Sequence, residues 1–241
     1  MEDSSTGFLI GAAVIVVVAA AIFLAVWSSR RAKAALVEFA SSRGLSVEPL
    51  DQGEELERRV VESLGVPAGG IYRDIVRLPL SAGEAYLFTK APETKGASSD
   101  TGTGGSPHQF IVVFMDIAVS GRTFAARAIP VAGKLGERMV EFVLNKVFGA
   151  TGIKRLDTSA YYPDFSKVYN VFTEDEEGAR SVVLSSGVVS CLMTHPQKEP
   201  VNISIGPKGF GVDITSVMKS RQEIDRFVDW ADDLARVLKD R

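Results

Sequence analysis

FSKVYNVFTEDEEGAR (Phe165–Arg180) passes from an aromatic and β-branched run into four consecutive carboxylates, then a glycine and an arginine. Four adjacent carboxylates can hold a cation, and they can also start a helix. A calcium loop alternates its ligands over about twelve residues with a glycine at the sixth position. This run does neither. The spacing instead predicts a strand over Phe165–Phe172 followed by a helix. Thr173 and Glu176 stand as a capping box. Glu174 and Asp175 fall in the first turn beside the positive end of the helix dipole. Glu176 and Arg180 form an i,i+4 pair of the favoured polarity, and Glu177 is left to solvent.

Reading on toward the C-terminus, TEDEEGARSVVLSSGVVSCLMTH (Thr173–His195) continues as one helix. VNISIGPKGFGVDI (Val201–Ile214) reads as a hairpin whose turn places proline early and glycine late. In SRQEIDRFVDWADDLARVLKDR (Ser220–Arg241), residues Ile224, Phe227, Val228, Ala231, Leu234, Ala235 and Leu238 make one apolar stripe of period 3.6, with Ser220 and Glu223 as its capping box. The order β-α-β-β-α predicts an α+β fold, helices packed on an antiparallel sheet.

Reading back toward the N-terminus, GKLGERMVEFVLNKVFGA (Gly133–Ala150) is patterned as an amphipathic helix. Ile71–Val131 reads as four antiparallel strands, the last two joined by a turn at Ser120-Gly121. The segment 91–107 is Gly, Ser, Thr and Pro-rich without a large apolar side chain, and is expected to be a disordered loop. It lacks the lysine and the following helix of a phosphate loop. Leu56, Val60 and Leu64 mark a helix that Gly65 ends. No linker composition divides residues 45–241, which read as one soluble α+β domain.

At the N-terminus, GFLIGAAVIVVVAAAIFLAVW (Gly7–Trp27) carries no charge. As a helix it spans roughly 31 Å, the thickness of a bilayer core. Glu2 and Asp3 precede it; Arg30, Arg31, Lys33 and Arg43 follow. Residues 1–6 then form a short extracytoplasmic tail and 7–27 a single transmembrane helix. Residues 28–44 form a juxtamembrane helix, and the domain is cytoplasmic at the inner membrane. The acidic flank and the length argue against a cleaved signal peptide. Arg30, Arg31, Lys33 and Arg43 are the candidate contacts to anionic headgroups. Gly7 and Gly11 have the spacing of a helix-dimer motif, which allows a homodimer.

Composition narrows the function. The net charge of −3 excludes the basic excess of a nucleic-acid binder. One cysteine, Cys191, and two histidines, His108 and His195, do not make a structural zinc set, so no metal or other cofactor is expected. Cys191 and His195, four apart, lack a third partner and an oxyanion donor, and no GxSxG elbow occurs, so no catalytic residue is assigned. The expected function is a membrane-tethered binding or scaffolding domain with a bilayer partner at 7–27 and a protein partner. The alternatives are an enzyme whose site is assembled from scattered residues, and a sensor of anionic lipid.

The pattern Phe165-x-x-x-Tyr169-x-Val171-x-x-x-Asp175-Glu176-x-x-Ala179-Arg180 resembles a block of an uncharacterised bacterial membrane-anchored family of unknown function. The resemblance covers about residues 108–241. It implies hydrophobic spans ahead of a cytoplasmic α+β domain, and it implies no activity. RLDTSAYYPDF (Arg155–Phe165) keeps only part of the leucine- and proline-rich text that precedes the family's block.

Overall fold

The computed structural model describes residues 3–48, 53–65, 70–91, 108–117, 119, 121–127, 152–195, 201–214 and 216–240. The elements are, in order, α1 (Asp3–Ser42), β1 (Val47–Glu48), α2 (Gly53–Leu64), β2 (Ile71–Leu78), β3 (Glu84–Ala91), β4 (His108–Phe114), β5 (Thr123–Arg127), β6 (Lys154–Leu156), α3 (Pro163–Val168), β7 (Tyr169–Thr173), α4 (Glu176–Val182), α5 (Ser186–Met193), β8 (Val201–Gly206), β9 (Gly209–Ile214) and α6 (Arg221–Lys239). The predicted helix Gly133–Ala150 and the loop after Ala91 lie outside the described residues.

Among the described residues the strands form one nine-stranded sheet of order β1-β2-β3-β4-β9-β8-β5-β7-β6. Every pairing in it is antiparallel. The fold is therefore α+β. Alternation along the strands splits the core in two. Ala85, Leu87, Ile111, Val113, Phe210 and Val212 point into the larger core, against the buried faces of α1, α4, α5 and α6. Tyr86, Phe88 and Val112 point the other way, under Leu56, Val60 and Leu64 of α2.

Strand β2 serves both layers through an extra residue. Its register on β3 shifts between Arg73 and Val76, and Asp74 there has φ 53°. Tyr72 and Ile75 therefore face α2 while Val76 and Leu78 face the larger core. At the end of α2, Gly65 (φ +64°) closes the helix. Arg122 donates from Nη1 to its carbonyl at 3.0 Å and from Nε to Glu174 Oε1 at 2.9 Å, so one guanidinium links α2, β5 and β7.

The N-terminus departs from the transmembrane expectation. Residues 7–27 do lie in a helix, the 40-residue α1. Yet among the described residues no helix is long and apolar enough to cross a membrane. The fold is thus not a transmembrane helix followed by a domain; the long helix α1 itself contributes Ala35, Leu36, Phe39 and Ala40 to the core. The membrane-spanning assignment scored only the local apolar run, whereas α1 continues through Arg30, Arg31 and Lys33 to a buried end. The orientation read from the flanking charges rested on that span.

Two local expectations also change. β4 and β5 do not pair as a hairpin, because β9 and β8 stand between them. FSKVYNVF is not one strand. Pro163 opens the short helix α3, a position where its missing N–H costs nothing, and β7 starts only at Tyr169. Phe165 and Tyr169 are both buried, and their rings stack at 5.1 Å.

Candidate functional site: the outer face of α1

The carboxylate block is structural, with a register two residues later than the capping-box spacing suggests. Asp175, not Thr173, is the N-cap of α4, and its Oδ1 accepts from the Gly178 amide at 2.9 Å. Thr173 stays in β7, where its hydroxyl lies 2.9 Å from that of Thr123. Its Oγ1 also donates to the Asp175 carbonyl at 2.8 Å and accepts from the Asp175 amide at 2.9 Å. Glu174 precedes the helix and is bound by Arg122, which holds its carboxyl below the ordinary range. Glu176 and Glu177 occupy the first turn, and Glu176 lies 3.7 Å from Arg180.

The thiol–imidazole pair is placed against apolar surroundings. Burial, with a smaller contribution from Asp233, pushes the Cys191 thiol up to about 11. A nucleophilic cysteine needs the opposite shift. The Trp230 indole donates to the Cys191 carbonyl at 2.9 Å, and the His195 ring meets Trp230 edge-on at 4.7 Å. His108 Nδ1 lies 3.5 Å from Asp213 on the neighbouring strand. Among the described residues no group of three or more His, Cys, Asp or Glu is arranged to hold a metal.

The four basic residues divide. Arg30, Arg31 and Lys33 are exposed on α1. Arg43, in the turn after α1, donates to Asp225 Oδ1 and to Asp229 Oδ1, both at 2.9 Å. Its guanidinium also lies 5.0 Å from the Phe39 ring centre. Arg43 therefore ties α1 to α6, and three of the four candidate contacts remain together.

Beside those three is an apolar stripe that sequence reasoning assigned to the bilayer core rather than to a surface. Phe23 is 68% exposed, Val26 47% and Trp27 50%. With Arg30 they fall at i, i+3, i+4 and i+7, on one face of α1. At 100° per residue this face lies opposite Leu36 and Phe39, which are in the core. Arg31 stacks over Trp27, 5.5 Å from its ring centre. The i,i+3,i+4 spacing of Phe23, Val26 and Trp27 was visible in the sequence, but the absence of charge from Gly7 to Trp27 hid it.

No protein-family model matches the chain, and no curated protein matches it. A solved structure is similar: the crystal structure of the mycobacterial trehalose monomycolate transport factor A, TtfA. The two share 14% identity over 87% of this chain and 97% of that one, with a TM-score of 0.51. At that identity the likeness is one of fold.

Proposed function

We propose that this chain is a non-catalytic accessory domain that works at a membrane surface, with α1 as its lipid-facing element and the sheet body as a binding platform for a protein partner. The observation that carries the reading is the outer face of α1. Two exposed aromatic rings and a valine are followed within two turns by Arg30, Arg31 and Lys33, all turned away from the folded body or flanking it. Aromatic rings favour the headgroup level of a bilayer, and each basic residue near an anionic surface contributes about 1 kcal/mol. Three of them strengthen binding by about 3 kcal/mol, roughly a hundredfold. The fold shared with a transport factor supports an accessory role over a catalytic one. The reading asks for association with the bilayer and specifies no depth.

The test is flotation of the full chain with neutral phosphatidylcholine vesicles and with vesicles that also contain phosphatidylglycerol. The chain is expected to float with both, and more tightly with the second. F23S/W27S weakens both; R30E/R31E/K33E removes only the anionic increment. A chain that stays unbound with both vesicles overturns the proposal.

A further inference from the structure

A flank of α1, between that outer face and the buried one, meets the body at a cavity of about 660 Å³, between α1 and the start of α6. On the α1 side it is lined by Arg31, Ala34, Ala35 and Glu38, spaced i, i+3, i+4, i+7. Two adjacent alanines leave the hollow that larger side chains would fill. On the other side stand Lys219, Arg221 and Asp225.

The charges are not equally committed. Asp225 is shared by Arg43, at 2.9 Å, and Arg221, at 3.2 Å. One amide of the first turn of α6 is capped, that of Glu223 donating to the Ser220 hydroxyl, and the Glu223 carboxylate accepts from the Lys219 amide ahead of the helix at 2.8 Å. Arg31 has Trp27 as its neighbour, and Lys219 has no carboxylate within 4.0 Å among the described residues, so both ammonium and guanidinium groups can turn to a guest. Two cations without a carboxylate partner thus face the cavity from opposite sides, Arg31 from α1 and Lys219 from the segment before α6, with Glu38 as the other carboxylate of the lining, beside the face proposed above to meet lipid.

We infer that this cavity binds a phosphate-bearing anion, held between Arg31 of α1 and Lys219 before α6, with Arg221 released from Asp225 as a third donor. Arg31 supplies a forked set of N–H donors and Lys219 a mobile ammonium, a pairing suited to phosphate oxygens. Ala34 and Ala35 give the guest its room. A lipid headgroup and a free phosphate share this chemistry. The inference extends the membrane-surface reading to a specific site.

The test is protection of Lys219 from an amine-reactive label, read by mass spectrometry on the full chain in a nonionic detergent, with Lys239 as internal reference. The probes are inorganic phosphate, dihexanoyl phosphatidylglycerol and dihexanoyl phosphatidylcholine. At three times the dissociation constant only about a quarter of sites are empty, so Lys219 labelling slows about fourfold. Slowing by both phosphate and the glycerol lipid assigns a general phosphate site; slowing by the glycerol lipid alone assigns a headgroup site. A34F fills the exposed side of the hollow without changing charge, and is expected to abolish the protection. Absence of protection by either anion overturns the inference, as does protection that A34F leaves intact, which would mean diffuse attraction. The assay contains no bilayer, so its failure and a failure to float with vesicles are separate results.

Discussion

Arg43 bridges Asp225 and Asp229, one turn apart on α6, at 2.9 Å to each. Burial opposes the charge of its guanidinium, but the hydrogen bonds to Asp229 and Asp225 outweigh it and hold the group above its ordinary value. This bridge closes the α1–α6 contact at the end where Phe39 is fully buried. R43M keeps the aliphatic packing over Phe39 and removes the charge. It is expected to cost about 1 kcal/mol, at the upper end for a partly exposed ion pair. The loss should shrink in high salt, measured as the urea midpoint of unfolding with and without added sodium chloride.

Phe39 itself should matter far more. It belongs to the same core as Leu36 of α1 and Phe227 and Leu234 of α6. F39A leaves a cavity that neighbouring helices close only in part, and is expected to cost about 3–5 kcal/mol. F39L should recover most of that. Thermal unfolding of both variants reads the difference, and a loss below about 1 kcal/mol for F39A would show that α1 is not part of the cooperative core.

Acid should weaken the layer under α2 in a defined window. The Glu84 carboxylate is bound by Arg59, accepts from the Tyr86 hydroxyl at 2.5 Å and lies 3.0 Å from Arg77. These contacts, Arg59 first, lower it from 4.5 to about 2. A carboxyl lowered on folding stabilises above its unfolded value, here 4.5, and that contribution is lost as pH falls toward about 2. Glu84 is partly solvated, so screening reduces the gain. The urea midpoint of the parent should fall between pH 5 and pH 3 more steeply than that of E84Q; parallel slopes would exclude Glu84 as a contributor.

The Cys191 thiol, pushed up to about 11 by burial, leaves only about a thousandth as thiolate at pH 8. Alkylation by iodoacetamide at pH 8 should therefore be slow in the folded chain and should accelerate by at least tenfold in denaturant. Fast alkylation of the folded protein would contradict the burial assigned to α5 and reopen a thiol chemistry with His195.

How much of this was legible in the sequence depended on the range of the forces involved. α6 was readable because its start is local chemistry, Ser220 accepting from the Glu223 amide, and its buried stripe has one period. The strand order was not, since β9 and β8 enter the sheet between β4 and β5 through pairings such as Val112 with Gly211 that no local pattern encodes. The helix predicted over Thr173–His195 is two helices, because Ser185 withdraws from the first to cap the second at the Val188 amide. On the candidate site, the basic cluster Arg30, Arg31 and Lys33 was visible, but Arg43 was grouped with it although its carboxylate partners lie more than 180 residues away. The partner side of the cavity, Lys219 and Arg221, carries no motif at all and becomes visible only when α6 is laid beside α1.

The Thr123–Thr173 pair gives the sharpest check on the corrected register of the carboxylate block. Were Thr173 an exposed N-cap, T173V would remove one capping bond, and T123V would be unrelated to it. In the structure both threonines are buried, and their hydroxyls lie 2.9 Å apart across β5 and β7. T173V strands the Thr123 hydroxyl in the core and deprives the Asp175 amide of its acceptor. The expected cost is about 1–3 kcal/mol. T123V/T173V then removes the stranded hydroxyl as well, so the double variant should be less destabilised than the sum of the singles. Chemical unfolding of the four proteins measures that coupling, and strict additivity would return Thr173 to the role its spacing first suggested.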